Sequence, residues 1–166
     1  SRTRQRLLEA PASTTVLGPA RIRREARTSS VEALRAAEGV DVAQTGIDRR
    51  EVALRGFNSA VSAGPHVRTD HRQARAPALG LNLYSVMPNT TLDLDRIEAV
   101  QGPAAALYGT GLDGGVLHCV TSAPFRDPGT SFALSGRSRR YLNAQFRLAR
   151  VLGRALGYQF TAQWGR

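Results

Sequence analysis

The stretch RIEAVQGPAAALYG, residues 96–109, joins a short apolar run to a Gly-Pro pair and an alanine-rich segment. Residues 97–100 have the apolar and β-branched character of a strand. Pro103 stands where a proline commonly opens a helix, which predicts a short helix over residues 103–108. A second apolar run predicts another strand at 115–121. Strands mixed with short helices in this way predict an α+β or irregular α/β unit.

The residues before this stretch predict further strands around one more helix. The predicted strands cover residues 14–17, 40–42 and 51–55. A helix should begin at Ser29, because Ser29 and Glu32 have the spacing of a capping box and Gly39 stands where a helix ends. Residues 58–92 are mostly turn and loop formers. A loop of that length inside a compact domain is usually functional or mobile.

The C-terminal part of the chain alternates between apolar and polar side chains, in segments of about ten residues. The apolar face would carry Leu142, Phe146, Leu148, Tyr158, Phe160 and Trp164. The polar face would carry Asn143, Gln145, Arg147, Gln159 and Gln163. This pattern is typical of transmembrane β-barrel strands with interfacial aromatic residues. A soluble antiparallel sheet with one wet face produces the same alternation, and on the alternation alone it is the favoured interpretation.

The charge of the chain raises a second class of function, nucleic-acid binding. All 23 basic residues are arginine, and with 13 acidic residues they give a net charge of +10. Residues 128–166 hold 7 arginines, including the run RSRR at 137–140, and no acidic residue. The alternative function is therefore a soluble arginine-rich β-domain that binds nucleic acid. Binding proteins of that kind usually set aromatic residues among the basic ones, whereas here the aromatics fall opposite Arg147.

Motifs of enzymes and of cofactor sites are missing or out of context. Residues 109–114 match G-x-G-x-x-G, but a helix-like segment precedes them and a β-run follows, the reverse of a dinucleotide site. The three histidines have no metal-ligand spacing, and the single cysteine, Cys119, excludes a cysteine-cluster zinc site. No nucleophile elbow is present. We therefore expect no enzyme, no cofactor and no metal site.

Two motifs resemble the plug domain of TonB-dependent outer-membrane receptors. EVALRGFN, residues 51–58, is similar to the hydrophobic strand and Arg-Gly-Phe signature of that family. Residues 96–109, followed by GGV at 114–116, are similar to its longest motif. The chain departs from the family pattern at a few positions. Arg68 and His71 stand in an expected hairpin where the family has an apolar residue and a turn glycine. Gln101 stands where arginine is common. His118, Cys119 and Ser122 interrupt a stretch that in the family is usually Asn-Ile-Ile and a lysine.

The resemblance implies a chain in two parts. Residues 1–124 would form an α+β plug domain, a small mixed sheet with short helices. Residues 125–166 would form the first antiparallel strands of an incomplete transmembrane β-barrel. A plugged barrel of this type has about 22 strands of about 9–11 residues, and this chain has room for three. The chain is therefore expected to be a fragment, without the segment that contacts TonB.

The function implied by the resemblance is transport across the outer membrane of Gram-negative bacteria. The plug would gate the energy-dependent uptake of a scarce ligand, such as a siderophore-like metal chelate or another large nutrient. The implied partners are TonB, the rest of the barrel, outer-membrane lipid and the ligand, with no nucleic acid.

The resemblance also implies a set of site residues. Arg96 and Glu98 lie two apart on a strand, so they face the same side, and they would make polar contacts between plug and barrel wall. Arg55 would have the same role, and the glycines would lie at turns and close approaches. The full set is Arg55, Gly56, Phe57, Arg96, Glu98, Gly102, Pro103, Leu107, Tyr108, Gly109, Gly114 and Gly115. The change of composition near residues 124–128 further predicts that the C-terminal strands pack poorly against the first part.

Overall fold

The computed structural model describes residues 13–25, 29–44, 50–54, 65–70, 72–73, 75–76, 81–82, 89–101, 115–137 and 141–165. The helical segments are the α-helix α1 (Pro19–Glu25) and a 3-10 helix (Ser30–Ala36). The strands are β1 (Ser13–Leu17), β2 (Val40–Gln44), β3 (Arg50–Leu54), β4 (His66–Thr69), β5 (Arg72–Gln73), β6 (Arg75–Ala76), β7 (Leu81–Asn82), β8 (Leu94–Gln101), β9 (Val116–Thr121), β10 (Gly129–Arg137), β11 (Tyr141–Leu152) and β12 (Leu156–Gly165).

A five-stranded mixed sheet forms the centre of the first part. Its strand order is β1-β8-β9-β4-β5, with β4 parallel to β9 and every other pair antiparallel. One face of this mixed sheet packs against α1 and the 3-10 helix through Ile97, Leu117 and Val67 on the strands and Ile22 and Leu34 on the helices. This apolar layer is the hydrophobic core, and it confirms the small mixed sheet with short helices that the sequence predicts.

Two short hairpins lie outside the mixed sheet. Strands β2 and β3 pair in antiparallel register, and β6 pairs with β7. The predicted strands at 40–42 and 51–55 thus occur as partners of each other. Gly39 precedes β2 with a φ of +68°, a backbone conformation that favours glycine.

The helix predicted at Ser29 is present, but in a tighter form and with a different cap. It is a 3-10 helix, in which the Ser29 hydroxyl oxygen accepts a bond from Val31 N at 3.3 Å. The N–H of Glu32, which a capping box would assign to that hydroxyl, donates to the carbonyl oxygen of Ser29 instead. The tighter winding moves the side-chain cap one residue earlier.

The expectation that 58–92 consists mostly of loops is wrong for several of its residues. Strand β4 lies inside the mixed sheet, and a hairpin joins it to β5 despite Arg68 in the strand. Asp70 makes the turn with a φ of +46°, which an aspartate adopts more readily than most residues. Its carboxylate accepts bonds from Thr121 N at 2.8 Å and Thr121 Oγ1 at 2.7 Å, which ties the turn to β9.

The C-terminal strands β10, β11 and β12 form an antiparallel three-stranded sheet, called here the meander. Gly153, with a φ of +65°, lies in the turn between β11 and β12. No helix in the described ranges is both long and apolar enough to cross a membrane.

Candidate functional site

Arg96 and Glu98 project from the same side of β8, as their spacing predicts, and bind each other. Arg96 Nε lies 2.7 Å from Glu98 Oε1. Across the strand pair, His118 Nδ1 on β9 lies 3.4 Å from Glu98 Oε2. The hydrogen bond with His118, followed by the bond and charge of Arg96, lowers the pKa of Glu98 from 4.5 to about 2 against the opposing effect of burial. The hydrogen bond between Arg96 and Glu98 in turn raises the pKa of Arg96.

The ion pair extends to the segment that follows β9. Asp95 Oδ2 lies 3.1 Å from Arg96 Nη1 and 3.3 Å from Arg126 Nη1. Within the described ranges, the partners of Arg96 and Glu98 lie on β8 and β9, and none is on the meander. The cluster therefore links β8 to β9 and, through Asp95, to Arg126.

The meander has one apolar and one polar face, in the register predicted from the alternation. The exposed apolar side chains are Phe132, Leu134, Leu142, Leu152, Leu156, Tyr158, Phe160 and Trp164. On the opposite face of β11, Asn143, Gln145 and Arg147 are at most 3% exposed. A soluble sheet with one wet face would bury the apolar side and expose the polar one. Here the burial is reversed.

The polar face is buried, and its side chains bind Thr91 of the first part and Asp127 in the segment between β9 and β10. Thr91 donates to Gln145 Oε1 through its N–H at 3.1 Å and its hydroxyl at 2.7 Å. Arg147 donates to the Asp127 carbonyl oxygen at 2.8 Å and to Gln159 Oε1 at 3.2 Å, and its Nη1 lies 3.2 Å from Asp127 Oδ2. Thr91 thus joins the meander to the first part, and the prediction that the C-terminal strands pack poorly against the first part stays a prediction.

Residues 89–93, called here the anchor turn, connect the core to this contact. Asn89 accepts a bond from Ser30 Oγ at 2.8 Å and donates to Thr69 Oγ1 at 3.1 Å. Asp93 Oδ1 accepts bonds from Thr90 N at 2.7 Å and Thr90 Oγ1 at 3.3 Å, and the backbone oxygen of Asp93 accepts from Ser122 N at 2.7 Å. None of these residues belongs to the set of site residues predicted from the sequence. The sequence feature that indicates such a turn is the run NTTLD, since Asn, Thr and Asp cap turns with their side chains.

Asp93 stands out electrostatically in the anchor turn. Desolvation raises the pKa of its carboxyl from 3.8 to about 6, despite bonds from Thr90 and from Thr161 on β12. Burial is also the largest cause that raises the pKa of the Cys119 thiol, to about 12, with added contributions from the charges of Asp70 and Asp93. Cys119 is thus a buried neutral thiol on β9.

The structure describes three of the predicted site residues: Arg96, Glu98 and Gly115. Gly115 has a φ of +108°, a backbone conformation that favours glycine, and its carbonyl oxygen accepts a bond from His66 N. Arg55, Gly56, Phe57, Gly102, Pro103, Leu107, Tyr108, Gly109 and Gly114 lie outside the described residues. In the described part of the chain, no group of three or more His, Cys, Asp or Glu side chains could hold a metal ion.

Gln101, which stands where the family commonly has arginine, fills the space beside Gly39. Its Nε2 donates to the carbonyl oxygen of Glu38. A Cβ added to Gly39 would lie 2.8 Å from Gln101 Oε1. The glutamine therefore closes the turn that leads into β2, and the glycine is required there for both its backbone conformation and its size.

Comparisons with known proteins match most of the chain. The family model described as "TonB-dependent Receptor Plug Domain" matches residues 6–116. The vitamin B12 transporter BtuB of Vibrio vulnificus (strain CMCP6) is 28% identical over 153 residues, which cover 91% of this chain and 24% of that protein.

Solved structures show the same fold. The ferric yersiniabactin uptake receptor FyuA from Yersinia pestis matches with a TM-score of 0.69 and 23% identity, over 92% of this chain and 24% of that one. The siderophore receptor PirA from Pseudomonas aeruginosa matches with a TM-score of 0.66 and 23% identity, over 95% of this chain and 28% of that one. The chain thus spans about a quarter of the length of these relatives.

Proposed function

Because the chain belongs to the family of TonB-dependent receptor plug domains, we propose that it gates the energy-dependent uptake of a ligand through a barrel of which β10–β12 are wall strands. TonB-dependent receptors lie in the outer membrane of Gram-negative bacteria, and the chain is an outer-membrane protein of this kind. In the proposed division, residues 1–124 are the plug and residues 125–166 are the first strands of the barrel. The proposed partners are TonB, the remaining barrel wall and lipid.

The observation that carries the proposal is the reversed burial of the meander. Its apolar side chains are exposed, with Phe132 at 67% and Phe160 at 58%, while Arg147 on the opposite face is 1% exposed. A lipid-facing arginine near the bilayer midplane costs roughly 2–4 kcal/mol, whereas in a polar lumen it is paired or hydrated. A wall strand with lipid on one side and a plug on the other accounts for both faces. A soluble nucleic-acid-binding sheet accounts for neither.

The mechanism we propose is a gated rearrangement of the plug, with no covalent chemistry. Arg96 and Glu98 are proposed as contact residues between the plug and the barrel wall, and Arg55 is proposed for the same role. Arg96 keeps 39% of its side chain exposed beyond its bonds to Glu98 and Asp95, so it has surface left for a further partner. Transport would need these polar contacts to be exchanged for others, which a network of ion pairs allows without unfolding the core.

The proposed ligand class is a metal chelate of the siderophore type or another large nutrient. Support comes from the names of the relatives, which describe transport or uptake of vitamin B12 and ferric yersiniabactin. Cells without their own receptors for such ligands would express the gene that encodes this chain. Uptake of radiolabelled ferric citrate, ferric enterobactin and cyanocobalamin would then be measured with and without TonB.

Uptake of one of these ligands that disappears without TonB is the expected result. Filter-binding titrations with single- and double-stranded DNA and with RNA test the alternative function. Absence of uptake together with a strongly salt-dependent affinity for nucleic acid would contradict the transport proposal.

A further inference from the structure

The anchor turn is the place where the core of the mixed sheet is joined by side chains to the wall strands. Asn89 binds the 3-10 helix and β4 through Ser30 and Thr69. Two residues later, Thr91 binds Gln145 on β11. Asp93 at the other end of the turn meets Thr161 on β12. Any movement of the plug away from β11 and β12 must therefore break contacts of this turn.

The Asp93 carboxyl is buried in this contact, and among the described residues no cationic side chain is its partner. The residue is 2% exposed, and its partners are the backbone and hydroxyl of Thr90 and the hydroxyl of Thr161. The elements around it carry many titratable or charged side chains. These are Asp95, Arg96 and Glu98 on β8, His118 and Cys119 on β9, His66 and Arg68 on β4, Asp70 in the β4–β5 turn, Glu32 and Arg35 in the 3-10 helix, Tyr141, Arg147 and Arg150 on β11, and Tyr158 on β12. On β12 the residue that contacts Asp93 is the neutral Thr161. Arg96 pairs with Glu98 and Arg147 with Asp127, whereas Arg35 and Arg150 are exposed. Arg68 lies opposite His118 in the register of β4 and β9.

From this placement we propose that Asp93 is a proton-operated lock on the contact between the plug and the barrel wall. The lock is closed when Asp93 is protonated and is loosened when Asp93 is ionised. An ionised carboxylate buried without a counter-charge gains hydration when the wall moves away, so ionisation favours the open contact. A protonated carboxyl loses less hydration free energy on burial than a carboxylate does, and it can donate a hydrogen bond across the interface. Protonation therefore favours the closed contact.

The size of the effect follows from the difference in proton affinity between the two states. The carboxyl has a pKa of about 6 in the closed contact, against 3.8 as its ordinary solvated value. The closed state thus binds the proton more tightly. Lowering the pH from about 7.5 to about 5 should raise the ratio of closed to open contacts about tenfold. This inference rests on the proposed function, because the contact is a lock only if β11 and β12 belong to the barrel wall.

Hydrogen exchange of the Thr91 amide tests the lock directly, because that N–H donates to Gln145 across the interface. The 166-residue chain would be held in detergent micelles, and exchange rates would be converted to protection factors with the intrinsic rates at each pH. The protection factor of Thr91 should rise about tenfold between about pH 7.5 and about pH 5. In Asp93→Asn the protection factor should not vary with pH.

Asp70→Asn is the matched control. Asp70 likewise accepts an N–H and a hydroxyl of one threonine, but it is exposed, and that threonine, Thr121, is on β9 and not on the meander. It should keep the pH dependence at Thr91. A second variant, Gln145→Ala, removes the acceptor on the wall and should lower the protection of Thr91 at every pH.

Three results would overturn the lock. The first is a Thr91 protection factor that is independent of pH in the wild-type chain. The second is a pH dependence that survives Asp93→Asn, and the third is a change of the same size in the central amides of β8 and β9, which would reflect global unfolding. None of these results bears on TonB-dependent uptake, so they leave the proposed function standing.

Discussion

Replacing Glu98 by glutamine removes the negative charge at the centre of the ion-pair cluster on β8 and β9. In the wild-type chain the two carboxylate oxygens of Glu98 lie 2.7 Å from Arg96 Nε and 3.4 Å from His118 Nδ1. The fall of the Glu98 pKa from 4.5 to about 2 corresponds to about 3 kcal/mol of preferential stabilisation of the carboxylate. The side chain is partly exposed, so screening by water reduces the expected loss in Glu98→Gln to about 1–2 kcal/mol at neutral pH.

The loss should depend on pH in a defined direction. The lowered pKa means that the folded state holds the Glu98 proton more weakly than the unfolded chain does. The stabilisation is therefore complete above pH 4.5 and is lost as the pH falls towards about 2. The free energy of unfolding would be measured by urea titration in detergent micelles at several pH values, for wild type and Glu98→Gln. Their difference should shrink to near zero over that interval.

Glu25→Gln is the matched control for this measurement. Glu25 also pairs with an arginine, but Arg24 Nε is 3.8 Å away and both side chains are largely exposed. The free energy of unfolding should change by no more than about 0.5 kcal/mol in this variant. An equal change in the two variants, or a Glu98→Gln difference that stays constant down to about pH 2, would refute the reasoning.

Three further substitutions test packing and the contact between the two sheets. Gly39→Ala should destabilise the fold by about 2 kcal/mol, because the residue has a φ of +68° and its new Cβ would meet Gln101. Adding Gln101→Ala to that variant should recover part of the loss, as measured by urea titration. Arg147→Ala should lower the free energy of unfolding by about 2 kcal/mol through its lost charge-assisted bonds to Asp127, and an unchanged urea midpoint would count against the contact. Gly157→Ala should change the thermal midpoint little, because the Phe125 ring that a Cβ would touch is 53% exposed and can turn away. A large loss in that variant would show that the ring is held in place.

The division of the meander into an apolar and a polar face could be predicted from the sequence, because side chains on a strand alternate with period two. Shifting the register by one residue would move every side chain to the other face. The alternation around Phe146 and Phe160 does not itself decide which face is exposed, since on its own it favours a soluble sheet. The exposed apolar face of the structure is the one that the resemblance to a barrel wall implies. The turn at Gly153 follows from the same pattern, since it is the only interruption between the two alternating runs.

Strand β4 could not be predicted in the same way. Arg68 interrupts its apolar pattern, and its place in the mixed sheet comes from parallel pairing with β9, whose register joins Arg68 to His118 and Val67 to Leu117. Parallel strands are joined by long connections, so the sequence next to them lacks the short turn that marks an antiparallel hairpin. The hairpin with β5 forms because Asp70 adopts a positive φ and its carboxylate is held by Thr121.

The contact between the anchor turn and β11 also lay beyond sequence reasoning. Thr91 and Gln145 are 54 residues apart, and hydroxyl and amide side chains of this kind occur at many other places in the chain. The change of composition near residues 124–128 suggested two loosely packed parts. That change of composition carries no information on how polar groups of the two parts pair.

The most direct test of the central claim is the environment of Trp164, the single tryptophan of the chain. The chain would be reconstituted into phosphatidylcholine vesicles with and without bromine on the acyl chains, and the tryptophan fluorescence compared. The control variant Trp164→Phe/Gln163→Trp moves the indole to the neighbouring residue on the opposite face of β12. If β12 is a wall strand, brominated lipid should quench the wild-type fluorescence strongly and that of the control variant weakly. Equal quenching of both proteins would contradict the assignment to a receptor barrel. So would a chain that is monodisperse without detergent and whose Trp164 fluorescence is not quenched by brominated lipid.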